Sequence, residues 1–199
     1  MNAEPGERVR DARTFHPRRG RMTDAQRAER DHLAARFGEV PPGVVPVVEI
    51  GFGMGEATVE LAGAHPDRPM VAFDVHTPGV LRLMRALDER GLGHVSVVEG
   101  DAIEWLERRP DGSVAGLLVF FPDPWPKARH HHRRLFVPVN VALFARVLVP
   151  GGSVHLATDD EAYADEAADR LAADGRFDVT RSAARPVWRP HTRFEARAV

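Results

Sequence analysis

Val45-Pro-Val-Val-Glu-Ile-Gly-Phe-Gly-Met-Gly55 runs from a short apolar stretch into three glycines spaced two apart, and a helical pattern opens at Glu56. A run of this length rich in β-branched residues reads as a buried strand, and glycines directly after it allow a tight turn and a ligand's close approach to the backbone. The unit then recurs. The strand Val45–Ile50 is followed by a helix over Glu56–Ala64, Met70–Val75 by a helix over Pro78–Arg90, and Val95–Val98 by a helix over Ala102–Arg109. Val114–Phe121 precedes a helix over Leu135–Leu148 expected to bury Phe136, Val139, Leu143 and Val147. Ser153–Ala157 precedes the acidic helix Glu161–Ala173, which Asp160 can cap and in which Glu166 and Arg170 stand four apart. Phe177–Thr180 and Thr192–Ala198 are expected to close the sheet. Alternating strands and helices require right-handed crossovers, which predicts an α/β fold: a doubly wound, mostly parallel, seven-stranded, Rossmann-like sheet.

At 199 residues with 43% apolar content the chain suits one domain, expected over residues 25–199 and opening with a helix from Ala25 to Phe37. Residues 1–24 are polar, Arg-rich and aperiodic, as in a flexible basic arm. Cysteine is absent, which excludes disulfides and thiolate metal sites, and no apolar run reaches the ~20 residues a membrane span needs. A cytoplasmic location is the resulting expectation. The net charge of −2 hides segregation: Arg8–Arg21, Lys127–Arg134 and Arg181–Arg197 hold 15 of the 27 bases and 2 of the 29 acids. Brought together they form one basic face suited to a polyanion.

The fourth strand runs into Phe-Phe-Pro-Asp-Pro-Trp-Pro-Lys-Ala-Arg-His-His-His-Arg-Arg, residues 120–134. Here one carboxylate, Asp123, sits between two prolines that fix the backbone, an indole comes next, and then a cationic run without an acid. Lys127 is the only lysine in the chain. Strand ends of open α/β sheets are where ligands bind, and two further acids come there, Asp74 at the end of the second strand and Asp101 after the third. Glu49 just before the glycines is awkward for a pyrophosphate and helpful for a cation, and the spacing is not the Gly-x-Gly-x-x-Gly of dinucleotide sites. A crevice lined by Glu49, Asp74 and Asp101 suits S-adenosylmethionine, whose ammonium, ribose hydroxyls and adenine amino group all seek acids. Adjacent histidines point in different directions, so His130–His132 are not expected to hold a metal. His76 and His155 read as strand-end packing or hydrogen-bonding residues, not catalysts. Trp125 either stacks on a base or plugs the turn.

These stretches together resemble the bacterial tRNA (guanine-N7)-methyltransferase family of class I, S-adenosylmethionine-dependent enzymes. The resemblance rests on Glu49–Gly55, Val75-His-Thr-Pro-Gly-Val80, Phe121-Pro-Asp-Pro-Trp-Pro-Lys127, His155-Leu-Ala-Thr-Asp159, Thr192-Arg-Phe-Glu195 and, in the arm, Arg18-Arg-Gly-Arg-Met-Thr23. It implies transfer of a methyl group to N7 of a guanine in the tRNA variable loop. Glu49, Gly51, Gly53, Gly55, Asp74, Asp101 and Asp123 would bind the cofactor or border it, with Asp123 the catalytic acid. Lys127, Asp159, Thr192, Arg193, Phe194 and Glu195 would contact tRNA. The family usually has Glu where Asp74 stands and Lys where Arg193 stands, so a looser ribose contact and an altered donor geometry are expected at these positions. The protein is expected to bind tRNA as a monomer or weak homodimer, with neither metal nor membrane. Competing readings are methyl transfer to an exocyclic amine, an NAD-dependent oxidoreductase resting on the glycines and Asp74, and an RNA-binding protein without catalysis.

Overall fold

The computed structural model describes residues 22–38, 40–192 and 195. Their elements run α1 (Asp24–Phe37), β1 (Val47–Ile50), α2 (Glu56–Ala64), β2 (Met70–Asp74), α3 (Thr77–Glu89), β3 (Val95–Glu99), α4 (Ala102–Glu107), β4 (Val114–Phe120), α5 (Pro138–Val147), β5 (Leu148–Ala157) and α6 (Glu161–Asp174), with a 3₁₀ turn at Ala128–Arg133 before α5. The five strands pair in the order β3-β2-β1-β4-β5 and every pairing is parallel. This is the doubly wound α/β sheet that the alternation of elements requires, and β1 lies at its centre, where the strand order reverses.

Alternation along each strand divides the core. Met70 and Ala72 of β2 face one side with Val95 and Val97 of β3 and Leu118 and Phe120 of β4, under α1, α2 and α3. Val71 and Phe73 face the other with Val48, Leu117 and Val119, under α4, α5 and α6. A strand buried on both faces reads as a continuous apolar run, which explains why these were visible in the sequence. Thr23 caps α1 in a reciprocal box with Gln26, its hydroxyl accepting the Gln26 N–H at 3.2 Å while the Gln26 side chain accepts the Thr23 N–H at 2.9 Å. α1 then packs on α3 through Leu33 and Phe37, with Arg85 bonded to Glu29 and Arg36 to Asp88.

Several expectations change. Among the described residues the sheet has five strands: residues 177–180 form none, and most of 192–198 lies outside those residues, as does all but the end of the basic arm. α5 begins at Pro138 rather than Leu135, which shifts its phase: Val141, Phe144 and Val147 are buried while Val139 is 61% exposed. Phe136 is fully buried, but from the segment before the helix. β5 starts at Leu148, absorbing Pro150-Gly151-Gly152 as an irregularity between the Val114–Leu148 and Gly116–Ser153 pairs.

The glycine turn is packed against the start of α3. A Cβ added to Gly79 would lie 2.0 Å from the carbonyl oxygen of Gly53, a backbone atom with little freedom to move. A Cβ on Gly63, late in α2, would meet nothing within 4 Å. Gly79→Ala is therefore expected to destabilise the fold by roughly 1–3 kcal/mol, as overpacking does. Gly63→Ala should be neutral or stabilise by up to about 1 kcal/mol. Urea unfolding of the two variants beside the wild type checks the contrast; equal stabilities would show that the Gly53–Gly79 approach is not tight.

Candidate active site

Parallel pairing delivers the ends of all five strands to one edge. Ile50, Phe73 and Val119 stand level across β1, β2 and β4, so the loops leaving these strands lie side by side there. Gly51, Gly53 and Gly55 take positive φ angles of 82°, 62° and 83°, the left-handed region that a side chain disfavours. A Cβ on Gly51 or Gly53 would meet nothing within 4 Å, so open space lies over the turn. Two acids border it in different states. Glu49 is 1% exposed, and its Oε2 accepts the Thr58 hydroxyl at 2.7 Å. Burial pushes its carboxyl up to about 7; the Thr58 bond opposes this and the nearby Asp74 charge adds to it.

Asp74 is tied to the turn. Its Oδ2 accepts the Gly53 N–H at 2.6 Å and its Oδ1 the His76 N–H at 2.8 Å. Burial raises its pKa while these bonds lower it. The shorter acid thus spans β1, β2 and the start of α3 with its two oxygens. Asp101 caps α4, accepting the Ile103 N–H at 2.9 Å. Beside them Glu99, which the sequence did not single out, pairs in register with Asp74, accepts the Thr77 hydroxyl at 2.7 Å and reaches Arg30 at 3.5 Å. These carboxylates can bind a cation that also carries hydroxyl and amino donors, and the open space above the glycines gives its backbone-facing side room. The donor set fits S-adenosylmethionine.

Past β4, Asp123 is exposed in a turn bracketed by two strained residues, Phe121 at φ 51° and Trp125 at φ 47°. Neither is glycine, and such angles persist only where surroundings hold them. Trp125 is 5% exposed, with Arg133 over its ring at 4.9 Å and His130 edge-on at 5.8 Å. It plugs the turn and is not a stacking platform in this structure. Arg134, at the end of the basic run, is 3% exposed: its Nε donates to the Pro124 carbonyl at 2.8 Å, its Nη1 to Glu166, and its guanidinium lies 5.0 Å from the Tyr163 ring centroid. Arg134 therefore holds the turn instead of facing a phosphate. Glu166 also pairs with Arg170, as their spacing anticipates.

On the opposite flank lies Arg189, 4% exposed, with its guanidinium against the rings of Phe120 and Phe121 at 5.6 and 5.7 Å. It forks onto Glu195 through two bonds of 2.8 and 2.6 Å. Glu195 also accepts from Thr192, through its N–H at 2.9 Å and its hydroxyl at 3.0 Å. The Arg189 bonds hold the Glu195 carboxyl down at about 2. His155 packs between Phe120 and Trp188, as a strand-end packing residue should, and burial and then the Arg189 charge lower its pKa.

Lys127, which precedes the 3₁₀ turn, and Asp159, after β5, are exposed at the same edge. Arg193 and Phe194 lie outside the described residues. The structure therefore gathers Glu49, Asp74, Asp101, Asp123, Lys127 and Asp159 along one edge. Sequence reading missed Arg134 and Arg189, the only buried arginines among the described residues. One signal existed: Glu195 is the lone acid in an otherwise arginine-rich stretch, which marks one of those arginines as paired.

Residues 44–199 match a family described as "Putative methyltransferase". A tRNA (guanine-N(7)-)-methyltransferase of Streptomyces avermitilis is 44% identical, the match covering 96% of this chain and 71% of the relative. Proteins with the same name from Alcanivorax borkumensis and Halorhodospira halophila are 40% and 41% identical, covering 98% and 96% of this chain and 88% and 90% of theirs. Among solved structures, a precorrin-6y C5,15-methyltransferase from Geobacter metallireducens superposes with a TM-score of 0.52 at 16% identity, covering 75% of this chain and 69% of that one. The cyclase SpnF does so at 0.50 and 22%, covering 76% and 56%. At these identities the two show a shared fold.

The raised pKa of Glu49 has a stability sign. The folded state holds its proton up to about pH 7, whereas an unfolded glutamate releases it near 4.5. Below 4.5 Glu49 is neutral in both states; between about 4.5 and 7 the unfolded chain ionises it while the fold still holds the proton, so stability falls as pH rises, and it levels off above 7, where both states are ionised. Glu49→Gln, which removes the titration, should therefore gain on the wild type between about pH 4.5 and 7 and keep a constant advantage above. Unfolding free energies across pH 4–8 test this. Parallel curves for the two proteins would mean that Glu49 ionises freely.

Proposed function

The chain belongs to the tRNA (guanine-N(7)-)-methyltransferase family, and from that footing we propose that it transfers the methyl group of S-adenosylmethionine to N7 of a guanine in the variable loop of tRNA. What carries the reading is the near-full-length match to relatives of that name. The edge of the sheet supports it, since acids for a cationic donor adjoin a braced, exposed Asp123.

S-adenosylmethionine supplies an electrophilic methyl group. The chain's own residues then have three tasks. Glu49 takes the ammonium, while Asp74 and Asp101 border the ribose and adenine. Guanine N7 carries an in-plane lone pair at neutral pH, so no general base is needed; alignment and stabilisation of the developing cation suffice. Asp123 accepts hydrogens from guanine N1 and N2, which favours the cationic purine and rejects adenine. In A-form RNA the major groove is too narrow for side chains, so N7 is reached in a loop or after extrusion of the nucleotide. Lys127 and Asp159 contact the RNA, together with Thr192 and the neighbouring Arg193 and Phe194, and Lys127 with the exposed Arg129 and His132 meets phosphates. The arm over residues 1–24 adds sequence-independent, salt-sensitive affinity. No helix among the described residues is long and apolar enough to cross a membrane.

Incubation with labelled S-adenosylmethionine and unmodified tRNA transcripts, and then mapping of the modified nucleotide, tests the function; label on an exocyclic amine, or none, would overturn it. Asp123→Asn should keep cofactor affinity and lower turnover by at least ~10²-fold, the scale of a removed electrostatic group. Undiminished turnover would strip Asp123 of its role. Because the ammonium favours ionised Glu49, affinity for S-adenosylmethionine should rise as pH passes about 7, and Glu49→Gln should flatten that rise. Calorimetric titrations at pH 6 and 8 decide the point.

A further inference from the structure

Glu195 ends the Thr192–Glu195 motif expected to touch tRNA, yet its carboxylate is already saturated. Two donors come from Arg189 and two from Thr192, all within 3.0 Å. The guanidinium it grips is 4% exposed and lies between Glu195 and the rings of Phe120 and Phe121. Phe121 is strained at φ 51°, its N–H donates to Ala157 at 2.7 Å, and it stands two residues before Asp123. The second strained residue, Trp125, lies two residues after Asp123, beyond the Pro124 carbonyl that Arg134 holds. Each flank of the Asp123 turn is thus braced by a buried arginine, and each arginine is charge-paired with a glutamate, Arg134 with Glu166 and Arg189 with Glu195. Uncharged substitution of one partner leaves the other's buried charge without its counter-ion, and the turn then loses its support on that side.

We propose that Arg189 and Glu195 are positioning residues for Asp123: the C-terminal segment acts as a strap whose ion pair seats Arg189 on the Phe120–Phe121 rings and so keeps the entry to the catalytic turn in its strained conformation. Glu195 works through Arg189 and does not bind the guanine. The inference deepens the methyltransferase reading and rests on it for the role of Asp123, although the strap itself is a property of the fold. A displacement of ~1 Å at a reacting group costs on the order of 10²-fold in rate, so loosening the turn should show mainly in turnover.

The test compares full-length wild type, Glu195→Gln, Arg189→Gln and the double variant in two measurements. In hydrogen–deuterium exchange, each variant should exchange the segment 120–127 at least ~10-fold faster than wild type while β1, β2 and β3 remain protected. In methyl transfer to tRNA, kcat should fall at least ~10-fold with KM for tRNA changed less than ~3-fold, and the double variant should be no worse than the worse single one, as for residues acting as a unit. Wild-type exchange of 120–127 in the variants would overturn the proposal, and so would a Glu195→Gln protein whose KM rises with kcat intact, the mark of a direct RNA contact. If Arg189→Gln does not fold, Glu195→Gln and Glu195→Asp decide the matter alone, because Glu195 lies outside both hydrophobic clusters. A wild type that methylates no tRNA guanine would sink the functional reading, and the exchange measurement would still decide the strap.

Discussion

β1 is four residues long and pairs in register with both β2 and β4, and the geometry of the edge depends on that double pairing. Parallel strands point the same way, so the central strand sets the level at which its neighbours end. Val48 and Glu49 are both buried there, one against the apolar core and the other against Thr58. A carboxylate at 1% exposure is expensive to ionise, and a cation held beside it would offset that cost. Asp74 extends the constraint by holding the Gly53 N–H, so that the glycine turn is fastened to β2 as well as to its own strand.

The two halves of the edge solve opposite problems. The glycine half uses residues that adopt positive φ at no steric cost and leaves space above the backbone. The Asp123 half forces Phe121 and Trp125 into the same region of conformational space, and surrounding groups must over-determine them. Prolines restrict the chain between the two, and Arg133, Arg134, Arg189 and His130 supply contacts from outside. An open surface can be permissive, whereas an exposed carboxylate between two strained residues stays in place only where its surroundings hold it.

The sheet was legible because its strands are buried on both faces and so appear as unbroken apolar runs, and because glycines and prolines mark their ends. Asp160 capping α6 and the Glu166–Arg170 pair were legible because both are local, within one helical turn. Glu49, Asp74, Asp101 and Asp123 were legible from their places at or just past the strand ends, whereas Glu99 was passed over. The burial of Arg134 escaped reading because it is non-local. Nothing near Arg134 in the chain reveals that Glu166, 32 residues away, will bury it, and a run of bases reads as a solvated surface until a partner is known. Val139 was misplaced because Pro138 opens α5 later than the apolar spacing suggests, which rotates the buried face onto Val141 and Phe144. Trp125 was undecided in sequence since an indole next to prolines fits either role; its burial under Arg133 decides for packing.

Lys127 stands exposed four residues past Asp123, and it carries the only side-chain amine in the chain. Arginine, used everywhere else, is inert to the acylating and reductive-alkylating reagents that modify amines. A reagent of this kind, used at a pH high enough to deprotonate part of the lysine amine, therefore addresses one side-chain position in 199, beside Asp123, together with the α-amine of the chain, and leaves the arginines unmodified. The composition that looks like a mere preference for arginine makes the rim of this cleft a ready attachment point for a fluorophore or a crosslinker.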